Sequence, residues 1–349
     1  MEQRNNLRML PQLLLPWYEE NKRDLPWRKD HEPYHIWLSE IMLQQTRVEA
    51  VKGYYDRFLS AVPTINDLAQ ADDELLHKLW EGLGYYSRVR NLKRAAQDIC
   101  SIHGGKFPED FDSILNLPGI GLYTAGAISS IAFNKPIPAV DGNVLRVYTR
   151  ITENATPIDD PAFKKLVHNT LSCIYPEQAS EFTQALMELG ATVCVPNGKP
   201  DCTGCPCSGI CKAYKSGKQM SFPVKEPRKE RKVEDKTVFI MCCDGYYALE
   251  KRASSGLLAD LWQFPNIPGK FSVEDALVHL EQKGIHVREV LRCLERKHIF
   301  THVEWRMRGI YLEVTGRDDS FKWFDSENIQ NSTAIPTAFR QFWDAIGNV

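Results

Sequence analysis

Leu117-Pro118-Gly119-Ile120-Gly121-Leu122-Tyr123 closes one apolar helical segment and opens another. The two glycines permit backbone angles that other residues avoid, and they let a ligand come close to the main chain. The first N–H groups of the segment that follows have no intrahelical partner, which makes an anion site suited to a phosphate. The same turn also serves as an ordinary helix–helix connection, so its meaning depends on its surroundings. Downstream, Val140-Asp141-Gly142-Asn143 precedes a helix with Val144, Val147, Tyr148 and Ile151 on one face. Asp141 reads locally as an N-cap. A capping carboxylate is hydrogen-bonded and stays ionised, which is also what a group stabilising a cation needs.

Upstream, up to about residue 220, short helical segments alternate with Pro, Gly and Asp punctuation. Leu7, Leu10, Leu13 and Leu14 open the first helix, and Asn21 to Trp27 forms a polar turn. In Ile36-Trp37-Leu38-Ser39-Glu40-Ile41-Met42-Leu43-Gln44-Gln45-Thr46 one carboxylate lies among large apolar side chains. Burial there disfavours its charged form, raises its pKa and equips it as a general acid. The plain alternative is a Glu on the one wet face of the helix. Gly82-Leu83-Gly84-Tyr85-Tyr86-Ser87-Arg88, followed by Arg90, Lys93 and Arg94, suits an aromatic wedge in a base stack with neutralised phosphates, or simply a helix with a solvated basic face.

Cysteines supply the next signal. Cys194, Cys202, Cys205 and Cys211 spell C-x7-C-x2-C-x5-C, with Cys207 inside the run. Four thiolates in one loop-rich segment point to an iron–sulfur or zinc centre, and spacing alone leaves the metal open. Cys100, Cys173, Cys242, Cys243 and Cys293 are scattered and read as core thiols.

The whole chain sets limits on these readings. Its 349 residues suggest two domains, and a makeup of 43% hydrophobic and 25% charged residues is that of a globular protein. No apolar run is long enough to span a bilayer. The N-terminal stretch lacks a signal-peptide layout, which points to the cytoplasm. A net charge of -2 leaves room only for a local basic surface. Residues 222–236 are charged and Pro-bearing and read as a linker. Beyond it lie strands at Thr237–Cys242 and Gly245–Leu249, with a hairpin signal at Asp244-Gly245. A helix at Val273–Gln282, strands near 287–291, 297–303 and 307–314, and a helix at 337–346 complete an α+β pattern.

Taken together, LPGIG with Tyr123, VDGNV and the four-cysteine loop resemble the helix-hairpin-helix DNA glycosylases of the endonuclease III superfamily. SEIMLQQT, GLGYYSRVRNL and the second half resemble its adenine-excising branch, the MutY family. The resemblance covers nearly the whole chain. It implies a mostly α helix-hairpin-helix glycosylase domain over residues 1–221 with a [4Fe–4S] loop (194–211). A linker (222–236) and an α+β Nudix-like 8-oxoguanine recognition domain (237–349) follow. The implied partner is double-stranded DNA containing A·8-oxoG or A·G, bound by a monomer with no membrane association.

Residue by residue, the resemblance makes Glu40 the acid and Asp141 the carboxylate near the sugar, supported by Tyr123 and Asn143. It sets Trp27, Arg28, Leu43, Val48 and Gln184 around the adenine. Gln45, Tyr85, Arg88, Pro118, Gly119 and Gly121 would meet DNA. Phe300, Thr301 and His302 would read 8-oxoguanine, with Thr301 in place of a serine. Tyr123 stands where the bifunctional relatives carry a Schiff-base lysine, which implies a glycosylase that does not cut the strand. The helix SVEDALVHLEQKG lacks the Glu-rich array of Nudix hydrolases, which implies reading rather than hydrolysis. The loop has one residue more than usual between the first two cysteines, and Cys194, Cys202, Cys205 and Cys211 remain the implied ligands. The rival readings are a bifunctional endonuclease III-type lyase and a non-catalytic DNA-binding protein with a zinc ribbon.

Overall fold

The structure, a computed structural model, describes residues 6–227 and 230–346. Residues 228 and 229, inside the expected linker, and the chain ends counted in the two expected domains lie outside the described residues. The chain forms two compact units, residues 1–70 with 91–227 and residues 71–90 with 228–349.

The first unit is helical. Its elements are α1 (Leu10–Asn21), α2 (Pro33–Met42), α3 (Val48–Ala61), α4 (Ile65–Gln70), most of α6 (Ser87–Ile102), α7 (Phe111–Leu115), α8 (Leu122–Ile131), α9 (Gly142–Thr152), α10 (Pro161–Ser172), α11 (Ala179–Thr192) and α12 (Lys212–Lys215). The short α5 (Asp73–Leu79) belongs to the second unit. Leu10 and Leu14 of α1, Val144, Val147 and Ile151 of α9, and Phe182, Leu186 and Leu189 of α11 share one core. That core accounts for the apolar spacing of α1 and α9. α11 packs against α1, α8 and α9, and α2 packs against α8. These contacts bring the C-terminal half of α2 and the starts of α8 and α9 around one cleft.

Two glycines permit the necessary approaches. Gly119 has φ +77, and a Cβ there would lie 2.6 Å from the Cβ of Asn91. A Cβ on Gly190 would lie 2.6 Å from the Cβ of Asn143, so α11 lies hard against the start of α9 only because this residue is glycine.

The second unit holds a mixed seven-stranded sheet with the path β3-β2-β1-β6-β5, β4 pairing with β1 and β7 with β2. The strands are β1 (Lys232–Cys243), β2 (Tyr246–Lys251), β3 (Trp262–Gln263), β4 (Asn266–Pro268), β5 (Val287–Ile299), β6 (Val303–Val314) and β7 (Lys322–Asp325). β1 alternates between two cores. Val238 and Ile240 pack with Phe339 and Phe342 of α15 (Thr337–Trp343); Phe239 and Met241 pack with Ala276 and Leu280 of α13 (Val273–Gln282). α14 (Ser326–Asn331) lies between β7 and α15 in sequence. Asp244 (φ +49) and Gly245 (φ +78) form the hairpin turn between β1 and β2.

Three expectations need correction. The stretch 297–303 is not one strand: β5 ends at Ile299, and Phe300-Thr301-His302 is a turn closed by the Phe300 N–H donating to the Val303 carbonyl at 2.8 Å. Its apolar, β-prone residues hid the turn. The linker is shorter than 222–236. Phe222 is buried in the first unit, the Ile158 N–H donates to the Val224 carbonyl at 3.0 Å, and β1 already starts at Lys232. Cys173 and Cys293 are exposed rather than core thiols. Among the described residues, no helix is long and apolar enough to cross a membrane.

Candidate active site

A cleft of about 1500 Å³ opens in the first unit, lined by Glu40, Tyr123, Asp141 and Asn143. Trp27, Arg28, Leu43, Gln45, Val48 and Gln184 line it too. Every catalytic and adenine-pocket candidate from the sequence therefore converges here.

Glu40 is only 6% exposed, among Ile36, Trp37, Leu38, Ile41 and Met42, which are all buried. Burial raises its pKa to about 7, the nearby Asp141 charge adds to the rise, and the Tyr123 hydroxyl bond and the Arg28 charge pull against it. The Tyr123 hydroxyl donates to Glu40 Oε2. The wet-face alternative for Glu40 is thereby excluded.

Asp141 caps α9 as its position suggested: Oδ1 accepts the Val144 N–H at 2.7 Å, and Oδ2 accepts from Asn143 Nδ2 at 2.7 Å. Burial acts on this carboxyl as well as capping. Burial pushes its carboxyl above the usual range, and the bonds from Val144 and Asn143 only partly restore it. Asn143 is itself held, because Arg146 Nη2 donates to its Oδ1 at 2.8 Å. Arg146 Nε donates to the Cys194 carbonyl at 2.8 Å, which ties the cap to the cysteine loop.

Cys194, Cys202, Cys205, Cys207 and Cys211 border one small cavity together with Arg150. Arg150 Nη1 donates to the Cys194 sulfur at 3.2 Å, a contact suited to a thiolate. Among the described residues, no three His, Cys, Asp or Glu side chains converge as a single metal ion requires. Thiols gathered around one cavity make an all-sulfur donor set, which suits an iron–sulfur cluster or a zinc ion.

The hairpin candidates occupy the turn before α8. Pro118, Gly119 and Gly121 shape it, the Ile120 N–H donates to the Leu117 carbonyl at 3.1 Å, and the helix start has no side-chain cap. Its N–H groups are free of side-chain competition for an anion. Gln45 (φ +61) and Tyr85 (φ +48) both hold left-handed backbone, a strained conformation common at functional tips.

Tyr85 and Arg88 fall in the second unit and are not among the residues that line the cleft. Arg88 has a second role besides the expected one. Its Nη2 donates to the Leu83 and Gly84 carbonyls, both at 3.0 Å, so it braces the Gly-rich turn.

The comparisons with known proteins come down on one family. A profile described as HhH-GPD superfamily base excision DNA repair protein matches residues 38–189, and one described as NUDIX domain matches residues 237–345. The adenine DNA glycosylase of Homo sapiens is 33% identical, over 94% of this chain and 73% of the relative. That of Buchnera aphidicola (strain APS) is 33% identical, over 92% of this chain and 93% of the relative.

The chain belongs to the adenine DNA glycosylase family.

The family member of Arabidopsis thaliana is 36% identical over 88% of this chain, and the chain spans only 58% of its length. Among solved structures, a thermostable thymine-DNA glycosylase aligns with a TM-score of 0.54 and 29% identity, over 61% of this chain and 98% of that one. An endonuclease III–DNA complex aligns with a TM-score of 0.51 at 24% identity, over 60% of this chain and 94% of that chain, a likeness of fold alone.

In this member of the adenine DNA glycosylase family, the turn at Phe300, Thr301 and His302 leaves Thr301 and His302 exposed. Phe300 packs edge-on against Trp305 at 4.8 Å, and the Thr301 hydroxyl pairs with the Tyr85 hydroxyl. Arg23 and Glu188 line the cleft and are among the residues that escaped the sequence reading. Arg23 sits in a polar turn and Glu188 on a helix more than 160 residues later, so nothing local announces their pairing.

Proposed function

We propose that this chain excises adenine paired with 8-oxoguanine or guanine in duplex DNA, leaving an abasic site without cutting the strand. The observation that carries the reading is the burial of Glu40 beside Asp141 and Tyr123 in a cleft with room for an extruded base. Supporting it is a carboxyl whose pKa of about 7 leaves it partly protonated at neutral pH, the state a general acid needs.

The steps follow from the side chains. The free N–H groups at the start of α8, presented by the turn of Pro118, Gly119 and Gly121, hold a DNA phosphate, and Gln45 and Tyr85 enter the stack as the adenine leaves it. Trp27, Leu43 and Val48 give the base an apolar berth, while Arg28 and Gln184 address its polar edge. Glu40 protonates the adenine, which turns it into a neutral leaving group. As the N-glycosidic bond breaks, positive charge grows on the sugar. Asp141, ionised and fixed by Val144 and Asn143, stabilises that charge and can capture the cation briefly. Glu40, now a base, takes a proton from the water that completes the sugar. Tyr123 offers no amine for a Schiff base, so the backbone stays intact.

Phe300, Thr301 and His302 read the 8-oxoguanine partner, within a lesion-reading region assigned to residues 237–349. Cys194, Cys202, Cys205 and Cys211 would hold a [4Fe–4S] cluster, whose bound iron supplies a rigid cross-link for the loop. Arg146 and Arg150 connect that loop to α9.

The test is base release from A·8-oxoG, A·T and thymine glycol duplexes, with and without alkali. The reading expects free adenine from A·8-oxoG and strand breaks only after alkali. Alkali-independent cleavage of thymine glycol duplexes, with a borohydride-trapped adduct, would favour the lyase. No base release at all, with zinc in place of iron, would favour the non-catalytic binder.

A further inference from the structure

Glu188 lines the cleft and takes no part in the chemistry above. Its side chain is 0% exposed, a costly place for a charge unless every acceptor is used. Every acceptor is used. Oε1 accepts from the Arg23 backbone N–H at 3.2 Å and from Arg23 Nε at 2.6 Å. Oε2 accepts from Arg23 Nη2 at 2.9 Å and from Arg28 Nη2 at 2.8 Å. These bonds fill the acceptor capacity of a carboxylate, and the fork with Arg23 is bidentate.

The network reaches further along the pocket wall. Arg28 Nη1 donates to the Arg23 carbonyl at 3.1 Å, and the Arg28 guanidinium lies 5.5 Å from the centre of the Tyr18 ring. The Tyr18 hydroxyl donates to Gln184 Oε1 at 3.1 Å. Arg28 and Gln184, the two polar residues assigned to the adenine edge, are thus oriented by Glu188, Arg23 and Tyr18. Arg28 keeps further N–H groups for the ring nitrogens of a bound base.

We infer that Glu188 is a positioning residue: its carboxylate locks Arg23 and Arg28 into one wall of the base pocket and holds the Arg28 charge back from Glu40. This rests on the adenine-excising reading of the cleft. The groups that face Glu40 are Tyr123 from α8, Asp141 at the start of α9, and Arg28 from the turn after α1. Arg28 is the only cation of the three, and its pull favours the ionised form of Glu40. A guanidinium released from Glu188 is free to turn toward Glu40 and deprive the acid of its proton.

The experiment is single-turnover adenine release from an A·8-oxoG duplex across pH, with duplex affinity and thermal melting measured alongside. Glu188→Gln keeps the shape and removes the charge. It should bind duplex like the wild type and lose roughly 10- to 100-fold in rate through misplaced pocket groups. The alkaline limb of its pH profile should move to lower pH. Glu188→Asp keeps the charge with a shorter reach, so its limb should stay in place while the rate falls several-fold.

A Glu188→Gln rate lowered only in step with its folded fraction, with an unmoved limb, would make the residue a mere helix tie and overturn the inference. A wild-type rate in Glu188→Asp would also overturn it, and this variant decides should Glu188→Gln not fold. Failure of the wild type to release adenine would instead sink the functional reading itself.

Discussion

The cleft around Glu40 and the turn around Thr301 treat their polar groups in opposite ways. In the cleft, a carboxyl is taken out of water and given one hydroxyl partner, and its pKa climbs to about 7. At the turn, Thr301 is exposed and its partner Tyr85 is 47% exposed. A hydroxyl in water keeps its ordinary properties, and a bond it makes there competes with solvent. The first arrangement changes what a group can do chemically; the second leaves a group ready to exchange one partner for another. Substitutions in the cleft should therefore alter rates by orders of magnitude. Those at the turn should alter preference by modest factors and leave the chemistry untouched.

The largest effect belongs to Glu40. Glu40→Gln should retain affinity for an A·8-oxoG duplex and lose about 10²- to 10⁴-fold in single-turnover adenine release, the usual span for a general acid. Next comes Asp141→Asn. Asparagine still caps a helix, so melting should change little, while removal of the charge proposed to stabilise the sugar cation should cost about 10²- to 10³-fold in rate.

Tyr123→Phe tests the pairing itself. The hydroxyl bond lowers the Glu40 pKa, so its removal should raise that pKa. The acid then keeps its proton to higher pH, and the alkaline limb of the rate profile should move up rather than down. The smallest change is expected at the turn. Thr301→Val should reduce the preference for A·8-oxoG over A·G by about tenfold or less, the worth of one hydrogen bond. The pH limb of Thr301→Val should coincide with that of the wild type. A Thr301→Val effect on that limb, or a mild Glu40→Gln, would break the contrast.

How much of this was legible in the chain depends on how local the cause is. Glu40 could be suspected because its apolar neighbours are adjacent in sequence, and burial follows from them. The hairpin could be read from Pro118, Gly119 and Gly121, and the cap from Asp141, because turns and caps are set within a few residues. The cysteine loop was visible for the same reason. The charge lock at Glu188 was not, since it joins α11 to a turn near the chain start, and periodicity carries no information on such a pair. Thr301 was assigned to a strand because Ile299, Phe300 and Val303 are all strand formers. What makes it a turn is the long-range pairing that starts β6 at Val303, where Lys232 of β1 is its partner. Arg88 looked like a phosphate contact by its charge, and only the path of the main chain reveals carbonyls within its reach.

The central claim is that burial makes Glu40 an acid at neutral pH. The most direct measurement is the infrared carboxyl band of the protonated side chain, taken as wild type minus Glu40→Gln and followed across pH. The account predicts a band that persists to neutrality and disappears around pH 7. Disappearance near pH ~4.3, the ordinary value for a glutamate, would contradict it.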